Sequence, residues 1–328
     1  MRTWRALAAL AGLAVLAWLV WEIGPGVLLA ELERLSWRLP VLLLPYALVA
    51  VLDAAGWRYA FPGRLPPLPL LVPARLAGEA VNVTTPAATL GGEPVKAWLV
   101  ARTHVPLAEA LASVVIAKTA LVVSHVLFIA LALALVLDPT GPAPAASPAL
   151  VNAMTGLAIL GAVAIAGFVW AQQRGLFGRS RRVLAWLGVG GRVADHLVRL
   201  DDQLGAFYRA RRARFAAALL FHFLGWTAGT VEVWAALHLL GTPVDFATAL
   251  VIEAFGSAIR SATFLIPASL GVQEGGLVGI FLALGLSAGT GLTFALIRRL
   301  REAAWTAAGF AFLVVWRDRR PALERPAG

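Results

Sequence analysis

Apolar runs alternate with short polar stretches along this chain, and the runs are of two kinds. Continuous runs occupy 4–21, 39–61, 107–137, 149–171, 213–240 and about 291–316. Two further stretches, 68–100 and 246–287, are apolar overall but broken near their middles by glycine, proline and charge. A helix rising 1.5 Å per residue crosses a bilayer with about 20 mostly apolar residues, which the continuous runs reach or approach. Outer-membrane strands would instead appear as roughly 10-residue alternating segments. The pattern predicts an all-α polytopic membrane protein, a helical bundle with two broken, re-entrant hairpins. Non-helical backbone at membrane depth is tolerated only where protein or a wet cavity satisfies it, so both broken stretches should face the interior.

The broken stretches share a skeleton. Residues 86–93 read Pro-Ala-Ala-Thr-Leu-Gly-Gly-Glu and residues 267–274 read Pro-Ala-Ser-Leu-Gly-Val-Gln-Glu, with proline seven positions before glutamate in both. A chance echo is the competing reading in a chain with 31 glycines and 19 prolines. Coincidence with the two anomalously polar stretches favours a true repeat. If each stretch enters and leaves by one side, the unit span, hairpin, span begins from opposite sides in 39–137 and 213–316. Such an inverted pair is the usual basis of alternating access. A different final segment, spanning 275–297 with Arg298 at an interface, would spoil that symmetry.

Composition agrees on the class: 60% hydrophobic and 14% charged residues with a mean hydropathy of +0.79, against roughly 45–50% and about 25% in soluble domains. The expected organisation is one integral membrane domain over 1–328. It comprises a first span 4–21, repeat one 39–137, a linking span 149–171, a basic amphipathic loop 172–212 and repeat two 213–316. Arg2 and Arg5 before an apolar run resemble a signal peptide. Trp4, Trp18 and Trp21 as interfacial anchors, with no small-x-small cleavage site, favour a retained span.

The net charge of +10 is concentrated in arginines between 174 and 214. It is read as a positive-inside loop rather than a nucleic-acid site, which places both termini in the cytoplasm. Val183, Leu184, Trp186, Leu187, Val193, Leu197, Leu200 and Leu204 are spaced for an amphipathic helix on the cytoplasmic surface, docking to anionic headgroups or serving topology alone. The chain has no cysteine, which excludes disulfides and cysteine chemistry.

Charges inside apolar sequence are the candidate chemistry. Each costs at least about 2.5–3.5 kcal/mol at a helix centre, so they should face one another or water. The first broken stretch offers Glu79, Asn82, Gly91, Gly92, Glu93 and Lys96. The second offers Glu253, Arg260, Gln273, Glu274, Gly275 and Gly276, and the flanking spans add Glu232, Arg298, Arg299, Arg301 and Glu302. Lys118 is a further intramembrane charge. Arg298 and Glu302, four apart, suit a salt bridge on one helix face. Arg299 and Arg301 then look to Glu274 and Glu253. His125, His222 and His238 lack ligand spacing and are read as packing residues, with no histidine–carboxylate cluster. No P-loop, dinucleotide fingerprint or Gly-x-Ser-x-Gly occurs, so no catalytic residue, metal or cofactor is expected.

At these residues a resemblance emerges. Gly-Glu-Ala-Val-Asn (78–82), Leu-Gly-Gly-Glu-Pro-Val-Lys-Ala-Trp (90–98) and Ile-Pro-Ala-Ser-Leu-Gly-Val-Gln-Glu-Gly-Gly (266–276) resemble the lysylphosphatidylglycerol synthase transmembrane, or flippase-like, family. Phe-His-Phe-Leu-Gly-Trp (221–226), Glu-Val-Trp (232–234), Val-Ile-Glu-Ala-Phe (251–255) and Arg-Arg-Leu-Arg-Glu (298–302) look most like its hopanoid-biosynthesis-associated branch. The resemblance implies a bacterial inner-membrane protein that translocates lipid, a hopanoid or an anionic phospholipid, between leaflets, with hopanoid-biosynthesis enzymes as possible partners. Multidomain relatives carry a soluble aminoacyl-transfer domain after the membrane part. The chain ends about a dozen residues after the last span, so that synthase activity is not expected and a non-enzymatic role is. The rival readings are a membrane-embedded transferase on an isoprenoid lipid, an accessory subunit, or a scaffold.

Overall fold

The computed structural model describes residues 44–84, 91–103, 105–138, 147–173, 191–263 and 271–318, with isolated positions 21, 26, 30, 33, 38, 42, 140 and 269. Ten helices and no strand occur among them. They are α1 (Leu44–Tyr59), α2 (Leu68–Thr84), α3 (Gly92–Ala101), α4 (Leu107–Leu137), α5 (Pro148–Gln173), α6 (Gly191–Ala210), α7 (Arg212–Leu239), α8 (Phe246–Ala262), α9 (Val272–Ala283) and α10 (Ala288–Asp318). Three of them, α4, α5 and α7, are long and apolar enough to cross a membrane.

The predicted runs 107–137, 149–171 and 213–240 match α4, α5 and α7 closely, and 39–61 contains α1. Each broken stretch is a pair of helices packed on each other, α2 with α3 and α8 with α9. The span 4–21 lies outside the described residues apart from Trp21, as do 85–90 and 264–268 at the two breaks. Helix α9 ends at Ala283 and a turn at 284–287 precedes α10, so the alternative of one span over 275–297 does not hold.

Local chemistry explains where these helices begin. Asp245 caps α8, its side chain accepting the Thr248 N–H at 2.7 Å, which satisfies one of the orphan donors of a helix start. Gly271 precedes α9 with φ 73°, a left-handed conformation that glycine adopts without steric penalty. The first turn of α3 is capped from another helix, since Asn82 Oδ1 on α2 accepts the Gly92 N–H at 2.7 Å.

The outer surface is apolar and the interior carries the charge. Ile159, Leu160 and Val163 on α5, Leu127 on α4, and Val314 and Val315 on α10 are exposed, whereas Glu232, Glu274, Glu253 and Arg298 are buried. That distribution suits lipid outside and ion pairing within. Helices packing in lipid rely on close van der Waals fit and small residues. Here a Cβ on Gly92 would lie 1.8 Å from the Gly78 carbonyl oxygen, and one on Gly309 would lie 2.3 Å from the Leu76 carbonyl oxygen. These glycines let α3 and α10 press against α2.

Two apolar cores result. One gathers α7, α8, α9 and α10 with the second half of α4, around Phe128, Phe255, Phe281 and Phe294. The other gathers α1, α2, α3, the first half of α4 and α6, around Trp57, Phe61, Leu71 and Leu99. Leu200, Leu204 and Phe207 of α6 are buried in this second core. This corrects the surface-helix expectation: protein, rather than headgroups, covers the apolar face of this part of the basic segment. Residues 174–190 lie outside the described set.

Most of the packing maps onto itself when α1, α2, α3 and α4 are exchanged for α7, α8, α9 and α10, the exception being the extensive α4/α7 contact, which α10 and α1 do not match. The pair α1/α2 answers to α7/α8, α2/α3 to α8/α9, α3/α4 to α9/α10, and α1/α4 to α7/α10, while α2/α10 answers to α8/α4 and α1 meets α7 across the centre.

Candidate functional site

The intramembrane charges converge on the junction of the two units. In the second unit every arginine of the 298–301 cluster takes a carboxylate from another helix. Arg298 pairs with Glu253 of α8, Arg299 with Glu274 of α9, and Arg301 with Glu232 of α7. Arg299 also binds Glu302 at 2.8 Å and donates to the Ser269 carbonyl at 3.3 Å. The expected Arg299–Glu274 pair is present. The others are re-partnered: Arg298 does not bridge to Glu302, and Arg301 reaches Glu232, leaving Glu253 to Arg298. The physical reason is that an arginine along a 31-residue helix meets whichever carboxylate reaches it at its own height, and side chains of three different helices reach α10 here.

The first unit holds a matching arrangement. Glu93 in the first turn of α3 binds Lys96 at 3.1 Å and Lys118 of α4 at 3.4 Å, and accepts from Asn82 at 3.3 Å. Glu274 stands in the first turn of α9. Lys118 lies eleven residues after Leu107, the start of α4, and Arg299 lies eleven after Ala288, the start of α10. Each hairpin is therefore tied to the long helix that follows it by a glutamate and a cation at equivalent places. Of the two repeated motifs, Gly91–Glu93, Ser269 and Gly271–Glu274 are described.

Two cavities lie where the units meet. The first, about 360 Å³ including its mouth, is bounded by α1, α2, α8 and α10 and lined by Tyr46, Leu76, Glu79, Ala80, Val83, Arg260, Arg301, Glu302, Trp305 and Thr306. The second, about 440 Å³ including its mouth, is bounded by α1, α2, α3, α4 and α7 and lined by Asp53, Trp57, Arg75, Glu79, Glu93, Lys96, Lys118 and His222 among others. Glu79 borders both. Arg301 stacks over the Tyr46 ring at 4.8 Å, and its Nε is buried without a hydrogen-bond partner. Arg260 is half-buried and makes no ion pair or side-chain hydrogen bond among the described residues.

The remaining predicted residues serve packing positions. Gln273 is buried with Oε1 unpartnered. Gly276 packs against Ile259, where a Cβ would lie 2.8 Å away. Gly275 donates to the Gly271 carbonyl in the first turn of α9, and Gly91 precedes α3 in a right-handed conformation.

Sequence reasoning missed one cluster. Asp53 of α1 is shared by Arg75 of α2 and by His222 of α7, whose Nδ1 lies 2.9 Å from Asp53 Oδ1. This corrects the expectation that no histidine–carboxylate contact exists. The available signal was Arg75 and Asp53 themselves, ionisable residues in apolar sequence, which are functional candidates by default. His125 binds Ser257 at 2.8 Å and stacks on Trp226, consistent with a packing role, whereas His238 is exposed and contacts the Trp234 carbonyl of its own helix. Among the described residues no cluster of metal-ligating side chains occurs.

A family model described as the lysylphosphatidylglycerol synthase TM region matches residues 5–309. No curated protein and no solved structure matches. With that match running across both helical units and the buried charges between them, the chain belongs to the lysylphosphatidylglycerol synthase TM region family, membrane proteins tied to lipid handling.

Proposed function

We propose that this protein moves a polar-headed lipid, a hopanoid or an anionic phospholipid, between leaflets of the bacterial inner membrane, acting as a transporter rather than an enzyme. The observation that carries this reading is the first inter-unit cavity. One of its walls presents Arg260 and the Arg301 Nε, neither with a partner among the described residues, and the other presents Leu76, Ala80 and Val83. A headgroup phosphate or hydroxyl array would sit against the guanidinium groups, while the tail leaves over the apolar wall into lipid. Paired donors at membrane depth replace the water that a headgroup loses on entry.

The hairpin helices support a re-entrant geometry. Helices of 17, 10, 17 and 12 residues extend about 25, 15, 25 and 18 Å at 1.5 Å per residue, all short of a core about 30 Å thick. The largely self-mapping packing supports two units of opposite orientation that rock against each other around the cavity. In that cycle the Glu93–Lys118 and Glu274–Arg299 ties would hold each hairpin closed in turn.

The test is leaflet exposure of labelled lipids, including a hopanoid and phosphatidylglycerol, in liposomes containing the purified protein or its Arg260→Gln and Glu274→Gln variants. Arg260 has no ion-pair partner among the described residues, so Arg260→Gln should fold normally and slow movement at least tenfold. Unchanged movement in Arg260→Gln would remove the cavity from the path. No movement of any lipid by the wild type, with product formed from an isoprenoid lipid instead, would favour a transferase.

A further inference from the structure

The second cavity has a charge balance that the transport reading does not use. Three carboxylates, Asp53, Glu79 and Glu93, face three cations, Arg75, Lys96 and Lys118, and the seventh ionisable group is His222. The lining is neutral while the imidazole is neutral. Asp53 is already engaged by Arg75, and His222 is 3% exposed with Nδ1 against Asp53. Its Nε2 is buried without a partner, beside Gly56, where a Cβ would come within 2.7 Å. With Nδ1–H donating to Asp53, the Nε2 lone pair is an unfilled acceptor. Imidazole is the side chain whose ordinary titration falls between pH 5 and 8.

We propose that His222 is a proton-binding site that takes up one proton when an anionic lipid headgroup enters between the units. An uncompensated charge is costly in such a setting, and a phosphate that moves past Glu79 from the guanidinium wall of the first cavity into the second adds one negative charge to a lining that is neutral there. A proton drawn from water onto His222 Nε2 restores neutrality, and its release on the opposite side would let a proton gradient drive the lipid. Position favours this assignment. Asp53 on α1, Arg75 and Glu79 on α2, Glu93 and Lys96 on α3 and Lys118 on α4 share the cavity with His222. The α8 and α10 charges Glu253, Arg298 and Arg301 gather instead near Glu232, about 15 Å further along α7 at 1.5 Å per residue. Helix α6 meets α7 through Tyr208 and Phe215. Glu79 borders both cavities, joining the proton site to the headgroup site.

This inference rests on an anionic headgroup binding between the units. The experiment is calorimetry of dioctanoyl phosphatidylglycerol binding to the purified protein at pH 7.5 in two buffers of different ionisation heat, with His222→Gln and Glu79→Gln alongside. The wild type should take up about one proton per lipid and bind more weakly as pH rises. His222→Gln, which keeps a donor for Asp53, should bind with no uptake and a flat pH profile. Lipid binding without proton uptake in the wild type would overturn the proton site and leave the transport reading standing. Uptake that survives in His222→Gln and vanishes in Glu79→Gln would also overturn it. Absence of wild-type binding would overturn the proton site together with the anionic-phospholipid form of the transport reading, leaving a hopanoid as cargo. Inorganic phosphate alone should bind far more weakly, and equal binding would overturn the lipid assignment. Should His222→Gln not fold, Glu79→Gln decides: uptake that vanishes in it overturns the proposal, and uptake that persists supports it.

Discussion

Replacing Glu232 tests whether the buried ion pairs are structural ties or a site held ready at a cost. Glu232 is fully buried, one of its oxygens has no partner and the other meets Arg301, itself 6% exposed. Glu232→Gln removes the carboxylate and leaves the guanidinium with only the Tyr46 ring and the nearby Glu302 as favourable neighbours. Breaking a buried pair from one side costs about 3–5 kcal/mol, because the remaining charge stays desolvated. Replacing both partners by apolar residues of similar volume is often neutral or stabilising. Glu232→Met with Arg301→Met should therefore recover most of the stability that Glu232→Gln loses, while lipid movement stays abolished because Arg301 lines the headgroup cavity. The assay is the unfolding equilibrium in mixed micelles, followed by leaflet exposure on the same preparations. A single-variant cost under about 1 kcal/mol, or a double variant less stable than the single, would refute the reasoning. Full lipid movement in the double variant would show that Arg301 has no part in transport.

Gly92→Ala should lower stability by at least about 3 kcal/mol, at the upper end for overpacking, since its Cβ would lie 1.8 Å from the Gly78 carbonyl oxygen and neither backbone can yield cheaply; thermal unfolding in detergent checks it. Asp245→Ala should cost about 1 kcal/mol through loss of the α8 cap and leave lipid movement unchanged, which the same melt and liposome assay would show. Phe255→Ala, at a fully buried core position, should cost about 3–5 kcal/mol in the unfolding equilibrium without altering headgroup affinity in the folded fraction. Glu274→Gln should cost less than Glu232→Gln, because Arg299 retains Glu302 at 2.8 Å and the Ser269 carbonyl.

Much of the helical plan was legible because lipid imposes a one-dimensional rule: a segment long and apolar enough to cross must satisfy its own backbone as a helix. That rule located α4, α5 and α7 nearly to the residue, and the glycine and proline breaks separated α2 from α3 and α8 from α9. The buried charges were equally legible, since Glu93, Glu274 and the 298–302 cluster stand out against apolar neighbours. What the chain alone left open was partnership. Helical spacing favoured Arg298 with Glu302, whereas α7, α8 and α9 deliver Glu232, Glu253 and Glu274 to different arginines of α10. The Asp53–Arg75–His222 contact joins residues up to 169 positions apart, a distance over which no local periodicity carries information. The amphipathic part of the basic segment likewise fits a membrane surface or a protein groove equally well by pattern, and α6 took the groove beside α4. The sequence by itself determined that this is a helical membrane protein with charges it must bury. Tertiary structure decided which charges meet and where cavities open between the units, because those outcomes depend on helix crossings rather than on any single helix.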